Sequence, residues 1–387
     1  MKIENESFKN LSKSWRKFNN QLQIGAKAKY KDFFSTNQVF ENDLLYRQFS
    51  PANENTSTNA GFFGSLRSSR YLSRHILFNL NAEYEPTWLT LRANNQRIAS
   101  MEHWYSGSLG IIYRTSKLNL TLSWLNEYKF DESLIHNLSF FAYTYRNVRI
   151  SELFVPRSKS NTLGAGVFYN DLLKGWSFNQ SFSISAKEMN YVFAYNYLQQ
   201  LEIRNLLQSP TPMRYIFSNT LFKKYWLASR TSLSSSFIFN ELKAEQIQNN
   251  LKNTNIFRLY QFRLQVLYQH LTWLHPELHV ETHLTSSFPE GSSMRQVLRS
   301  YRFRSNLKTN FILGRWLISL GGEYYNFANI QASENFSFQQ FRNSFYFVDA
   351  SLAYKMKKLT LTLDGYNLNQ QKVFRTATIQ PNVLSEN

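Results

Sequence analysis

The chain has 387 residues, with 44 Lys or Arg against 26 Asp or Glu, a formal net charge of +18, and no cysteine. The missing cysteine excludes a disulfide framework, a thiolate metal site, an iron–sulfur cluster and a cysteine nucleophile. An aromatic share of 17% with only 13 Gly and 8 Pro excludes collagen-like and low-complexity chains.

Mean hydropathy is −0.43, and no apolar run approaches the roughly 18–20 residues of a spanning helix. The opening MKIENESFKNLSKSW has no apolar h-region, so no signal peptide is expected, and residues 1–16 read as an ill-defined lead-in. Beyond it the pattern has period two. Leu118, Leu120, Leu122 and Trp124 alternate with Lys117, Asn119, Thr121 and Ser123. Tyr260, Phe262, Leu264, Val266 and Tyr268 alternate with Gln261, Arg263, Gln265, Leu267 and Gln269. Tyr301, Phe303, Leu307 and Phe311 oppose Arg302, Arg304, Asn306, Lys308 and Asn310, and Tyr346, Val348, Ala350, Leu352 and Tyr354 continue the series. Successive side chains of a strand point to opposite faces, so each segment has one apolar and one mostly polar side.

In chain order the pattern predicts strands over 18–30, 71–85, 88–98, 103–115, 117–127, 136–146, 148–155, 161–170, 175–187, 213–222, 225–240, 254–271, 276–288, 295–312, 315–329, 342–355 and 359–368. Strands of about 10–15 residues exceed the usual 5–6 and match the length needed to cross a bilayer at a tilt. Short polar turns are expected at Glu85-Pro86-Thr87, Ser116-Lys117, Lys174-Gly175, Lys223-Lys224, Gly314-Arg315 and Lys357-Lys358, and long loops at 31–70, 188–212, 241–253 and 330–342. Trp88, Trp176, Trp226 and Trp316 each follow a short turn, where a membrane-interface girdle places an indole. The expectation is an all-β chain: a large antiparallel transmembrane β-barrel of about 16–18 strands, part of a barrel of about 22. It occupies 1–387 as a single domain with a tail at 369–387, and no segment reads as a plug.

No nucleophile elbow, P-loop, HExxH or dinucleotide fingerprint is present, so no enzyme and no cofactor is expected. In HPELHVETH, His279, Glu281 and His283 share one strand face, with neighbouring side chains roughly 6.5–7 Å apart at their origins. Contact with a metal or siderophore is one reading, and ordinary residues of a polar wall the plainer one; no metal site is expected. Arg263, Arg302, Arg304 and Lys308 fall on the same face, away from the aromatics. That separation argues against nucleic acid, which wants cations interleaved with stacking rings. It suits a charged pore wall, or a surface meeting an acidic plug. The stretch Tyr191–Gln200 and loop 196–212 read either as a ligand entrance or as strand extensions.

The stretch FVDASLAYKMKKLTLTLDGYNLNQQKVFRTATIQPN, Phe347–Asn382, resembles the barrel end of TonB-dependent outer-membrane receptors, most of all those of Bacteroidota. Asp349, the basic turn Lys357-Lys358, the element Asn367-Leu368-Asn369 and Phe374 occupy the places of that family's motif. The resemblance implies active uptake of a scarce nutrient. Its partners would be outer-membrane lipid, the TonB system and a surface lipoprotein, in the bacterial outer membrane. It also implies that plug, signal peptide and last strand are missing from this chain. Alternative expectations are a plugless porin-like or adhesin-like barrel and a soluble all-β binding protein.

Overall fold

The computed structural model describes residues 2–15, 18–41, 44–93, 96–131, 134, 141–144, 147–151, 153–198, 201–290, 297–333, 336–356 and 360–369. Among the described residues there are eighteen strands. They are β1 (Lys2–Trp15), β2 (Phe18–Glu41), β3 (Leu44–Tyr71), β4 (Ile76–Ala93), β5 (Gln96–Arg114) and β6 (Leu118–Phe130). Then come β7 (Phe141–Thr144), β8 (Asn147–Ser151), β9 (Arg157–Asp171), β10 (Trp176–Leu198), β11 (Leu201–Trp226) and β12 (Thr231–Gln248). The series ends with β13 (Leu251–Tyr268), β14 (Leu274–Pro289), β15 (Val297–Leu313), β16 (Trp316–Ser333), β17 (Phe336–Lys355) and β18 (Thr360–Gly365). The fold class is all-β and antiparallel, as the alternation requires. Except for β7 and β8, each strand pairs with its sequence neighbours, and β6 passes directly to β9. No ladder among the described residues joins β18 to β1, so the sheet is not closed.

The registers carry the apolar face across the sheet without interruption. Leu80 lies opposite Leu109, then Trp124, Leu163, Ile184 and Ile216 on successive strands. Phe237 lies opposite Phe262, then Thr282 and Phe303. A one-residue slip anywhere would turn that strand's apolar set to the other face. The apolar face is the open one: Phe62 is 57% exposed, Leu122 49% and Leu307 52%. The polar face holds Thr87 at 0%, Ser158 at 2% and Glu102 at 6%. Burial is therefore inverted relative to a water-soluble sheet.

Several sequence expectations are corrected. Glu85-Pro86-Thr87 is not a turn; it lies inside β4, and Trp88 follows it in mid-strand. Pro86 has no N–H to give, so the β3–β4 ladder passes from Gly61–Thr87 to Gly64–Tyr84 without a bonded pair between. Gly61 makes this possible, because a Cβ there would run into the Pro86 carbonyl. Lys223-Lys224 likewise lies inside β11, and the turn comes at 227–230, where Arg230 takes a φ of 46°. Residues 2–15 form β1, paired along its length with β2. Of the stretches 136–146 and 148–155, the described residues form the short hairpin β7–β8, which joins the sheet through β8 and β11, and the segment of Phe154 and Val155.

The long loops at 31–70, 188–212, 241–253 and 330–342 are instead the paired distal arms of hairpins. The β12–β13 arm ends at Asn249-Asn250, both with positive φ (47° and 64°), the conformation of a tight two-residue hairpin turn. The β12–β13 arm carries polar residues on both faces, which removes the alternation while leaving the backbone pairing intact. Opposite them, the short turns expected at Ser116-Lys117, Lys174-Gly175 and Gly314-Arg315 are present. Gly175 and Gly314 supply φ of 66° and 61° there.

Candidate functional site

The polar face carries two built features. The first is a cap at the end away from the short turns. A bulge between Met189 and Tyr191 diverts the β10–β11 arm. Beyond it, Ala194 and Tyr195 run parallel to Ile247 and Gln248 of β12, and Glu202–Leu206 run parallel to Asn147–Ser151 of β8. The diverted arm and the segment leading into β9 pack against the polar face of β4 and β5. Leu89, Leu91, Trp104, Phe154, Val155, Tyr191 and Leu206 form one buried cluster, with Ile98, Leu134 and Met189 around it. Leu89 and Leu91 stand in the same phase of β4 as Glu85 and Thr87, so this core is internal to the curl.

Polar contacts fasten the cap. Tyr191 donates its hydroxyl to Asp131 Oδ2 at 2.7 Å, and Lys187 Nζ lies 3.5 Å from the same oxygen. Burial, with the Asp131 hydrogen bond added, pushes the Tyr191 phenol well above its ordinary pKa. Asn190, which faces Ser209 and Pro210 across the bulge, donates to Val155 O at 2.8 Å and accepts from Arg157 N at 2.7 Å. The stretch Tyr191–Gln200 thus starts this cap as far as residue 198, and residues 201–212 return it.

The second feature is the wall of β13–β16. Registers set Arg263, Glu281, Arg304 and Tyr325 side by side across four strands. Glu281 Oε1 accepts from Arg263 Nε at 2.6 Å, Gln261 Nε2 at 2.9 Å and His283 Nε2 at 2.8 Å. Glu323 Oε1 accepts from Arg304 Nη2 at 3.0 Å and Asn306 Nδ2 at 2.5 Å, while Tyr325 OH donates to Oε2 at 2.5 Å. The Arg304 guanidinium also lies over the Tyr325 ring, 5.3 Å from its centre. Of the residues singled out in sequence, Arg263, Glu281, His283 and Arg304 share this region. His279 faces the same way, opposite Gln265 and Asn306, outside the network. Arg302 and Lys308 occupy the same face without an ion pair among the described residues.

Glu323 and Tyr325 were not singled out in sequence. Continuing the alternation through β16 would have found them, since both are in phase with Ser319. A single carboxylate oxygen holding three donors is the arrangement of a wall, with little acceptor capacity left over. Among the described residues no group of three or more His, Asp or Glu is placed to hold a metal ion.

Trp176 opens β10, Trp226 closes β11 and Trp316 opens β16, all beside short turns. Trp88 lies on the apolar face, 51% exposed, edge-on to Phe62 with ring centres 6.2 Å apart.

The C-terminal motif closes an edge. Asp349 Oδ1 accepts from Asn367 N at 2.8 Å, and Leu368 N donates to Val348 O at 2.8 Å. Asn369 accepts from Val348 N at 3.1 Å and donates to Tyr346 O at 2.7 Å. Its side-chain amide thus continues the ladder on β17 where β18 has ended, satisfying groups an edge strand would leave open. Phe374 and Lys357-Lys358 lie outside the described residues.

No family model and no curated protein matches the sequence. Among solved structures, OmpT, an outer membrane protein of Vibrio cholerae, is similar at a TM-score of 0.31 and 7% identity, over 87% of this chain and 98% of that one. BauA, the ferric preacinetobactin receptor from Acinetobacter baumannii, gives 0.31 and 7%, over 96% of this chain and 68% of that one. The ferric-catecholate import receptor Fiu from Escherichia coli K12 gives 0.30 and 8%, over 95% and 70%. Likenesses this distant carry no argument about what the chain does.

Proposed function

We propose that this chain is a bacterial outer-membrane β-barrel protein of transport. On this reading it is the barrel portion of a TonB-dependent receptor that takes up a scarce nutrient, in a complete barrel of about 22 strands. The observation that carries the membrane assignment is the inverted burial. A continuous apolar face is exposed while Thr87, Ser158, Glu85 and Glu102 are buried on the other. In water such a face would bind a partner or aggregate; in a bilayer it is the solvated surface.

The tryptophans support the same reading. Trp88 lies twelve positions beyond Ile76, the first residue after a short turn. Twelve residues span about 40 Å along a strand, or about 28 Å across a bilayer at a tilt near 45°. Trp88 and the turn-side Trp176, Trp226 and Trp316 would then mark opposite interfaces. The receptor assignment rests on the Asp349 and Asn367-Leu368-Asn369 motif, and its uptake function on the capped, ion-paired interior rather than an open conduit. TonB and a surface lipoprotein are the partners that this reading carries with it.

Fractionation tests the assignment. The protein is expected in detergent-extracted outer membranes, and recovery in the aqueous fraction would refute it. Stable ion conductance in a planar bilayer would favour the porin-like alternative over the receptor. An upstream plug and TonB box encoded in frame would favour the receptor.

A further inference from the structure

The short turns differ from the rest of the molecule in charge. The turns at 72–75, 115–117, 172–175, 227–230 and 314–315 each contain one Lys or Arg and no Asp or Glu. Arg114, Lys223, Lys224 and Lys355 stand beside them on the strand ends. Acid at this rim is scarce, and Asp171 is already taken by Lys117 at 2.7 Å. Arg74, Lys174, Arg230 and Arg315 are exposed, and their side chains have no ionic partner among the described residues. At the opposite rim three cations are matched, Lys243 with Glu290, Lys252 with Glu245 and Arg258 with Glu241, while Arg92, Arg97, Arg299 and Arg342 have no ion pair among the described residues.

Apolar residues accompany the turn-side cations. Leu173 is 96% exposed, and Leu172 and Leu227 are similarly open. At the centre, Lys224 Nζ lies 4.5 Å from the Trp176 ring centre and 5.8 Å from that of Trp226, and donates to Lys174 O at 2.7 Å. The same corner opens into a cavity of about 460 Å³ lined by Trp176, Lys223, Lys224 and Tyr225.

We propose that the short-turn rim is a binding surface for anionic phospholipid headgroups. Turn leucines and indoles would enter the headgroup level, and Lys174, Lys224, Arg230 and Arg315 would pair with lipid phosphates. The argument is charge complementarity: a row of unpaired cations, interrupted at 269–273, beside exposed aromatics matches a negatively charged leaflet, where each cation near the surface contributes by attraction. Lys224 is held by two ring faces, so it loses little freedom on meeting a phosphate. The inference rests on the membrane reading above, and adds to it which leaflet chemistry the turn side selects.

The test uses the full chain refolded into phosphatidylcholine vesicles that contain phosphatidylglycerol. Tryptophan quenching by brominated phosphatidylglycerol is compared with quenching by brominated phosphatidylcholine. Phosphatidylglycerol is expected to bind at least about fivefold more tightly at low salt, the effect of one engaged cation. That preference should fall toward unity at about 1 M NaCl, where screening reaches within about 3 Å.

Replacing Lys174, Lys224, Arg230 and Arg315 together by Gln should abolish the preference, while K243Q with K252Q at the other rim should leave it intact. If the fourfold variant does not fold, R230Q with R315Q, whose side chains make no hydrogen bond or ion pair among the described residues, should still lower it. Equal quenching by the two lipids, or a preference that survives these changes, overturns the proposal. Vesicle flotation separates the two claims. A chain that floats with both vesicle types but shows no preference overturns only this inference; one that floats with neither overturns the membrane reading as well.

Discussion

Leu89→Ala is the sharpest perturbation of the cap. Leu89 is 1% exposed on the polar face of β4 and belongs to the cluster that also holds Leu206 of the returning arm. Truncation removes about three buried carbon groups, near 2.4 kcal/mol at about 0.8 kcal/mol each, before any cavity cost. Buried Leu→Ala changes span about 2–5 kcal/mol, so about 3 kcal/mol is the working figure. The contact joins the cap to the wall, so the loss should appear as local opening of the β10–β11 arm with little change in global unfolding. Arg204 lies on that arm and gives a tryptic site. Where opening is fast relative to cleavage, the cutting rate follows the open population, and about 3 kcal/mol corresponds to an increase on the order of a hundredfold. Leu122→Ala, on the exposed apolar face, is the control and should leave the rate unchanged. An unchanged rate at Arg204 in Leu89→Ala would refute the packing of the arm on β4.

Three further outcomes follow from the turns and the edge. Gly175→Ala should destabilise far more than Gly314→Ala in urea titration. Both residues have positive φ, but a Cβ at 175 meets the Tyr225 carbonyl and one at 314 meets nothing within 4 Å, leaving only the left-handed cost of about 1–2 kcal/mol. Asn369→Ala should cost about 1–3 kcal/mol, because it uncovers Val348 N and Tyr346 O on β17; hydrogen exchange at Val348 reports it. The hydrogen bond from Lys117 holds the Asp171 carboxyl below its usual range, so its contribution is present above pH 3.8 and lost as pH falls through the depressed value. The urea-midpoint gap between wild type and Asp171→Asn should therefore close on acidification, and a gap constant down to pH 2 would contradict the pairing.

Side-chain phase was legible in the sequence because it depends only on period two. Arg263, Glu281, His283, Arg302 and Arg304 face the same way in the fold as in the pattern, and Trp176, Trp226 and Trp316 stand by short turns. Strand ends were not legible, since backbone pairing continues where the apolar face stops, as in the β12–β13 arm up to Gln248–Leu251. Pro86 read as a break because the compensating Gly61 sits on another strand. The cap depends on a bulge at Met189 and Tyr191 and on contacts with β4, β8 and β12, none of which has a local signature.

The +18 charge is arranged differently from the basic pore wall that alternation suggests. On the polar face the cations are largely met: Lys27 by Glu85, Arg157 by Glu102, Arg263 by Glu281 and Arg304 by Glu323. Period two assigns residues to faces but is blind to height along the strand, and it is height that sets apart the described short turns, which hold no Asp or Glu. Arg74, Lys174, Arg230 and Arg315 at the short turns have no counter-charge among the described residues, and solvent and headgroups there keep them hydrated so that no desolvation cost demands one. Within the β13–β16 wall, where each charge is partly shielded, Glu281 stands in register with both Arg263 and Arg304. An anion entering along β13–β16 would therefore meet neutralised pairs, with Arg302 and Lys308 the free cations of that wall among the described residues. Replacing those two by Gln should weaken the binding of a small anionic dye to the refolded chain more than replacing Arg263 and Arg304 together. The reverse order would show that the ion-paired wall, rather than its free cations, binds the anion.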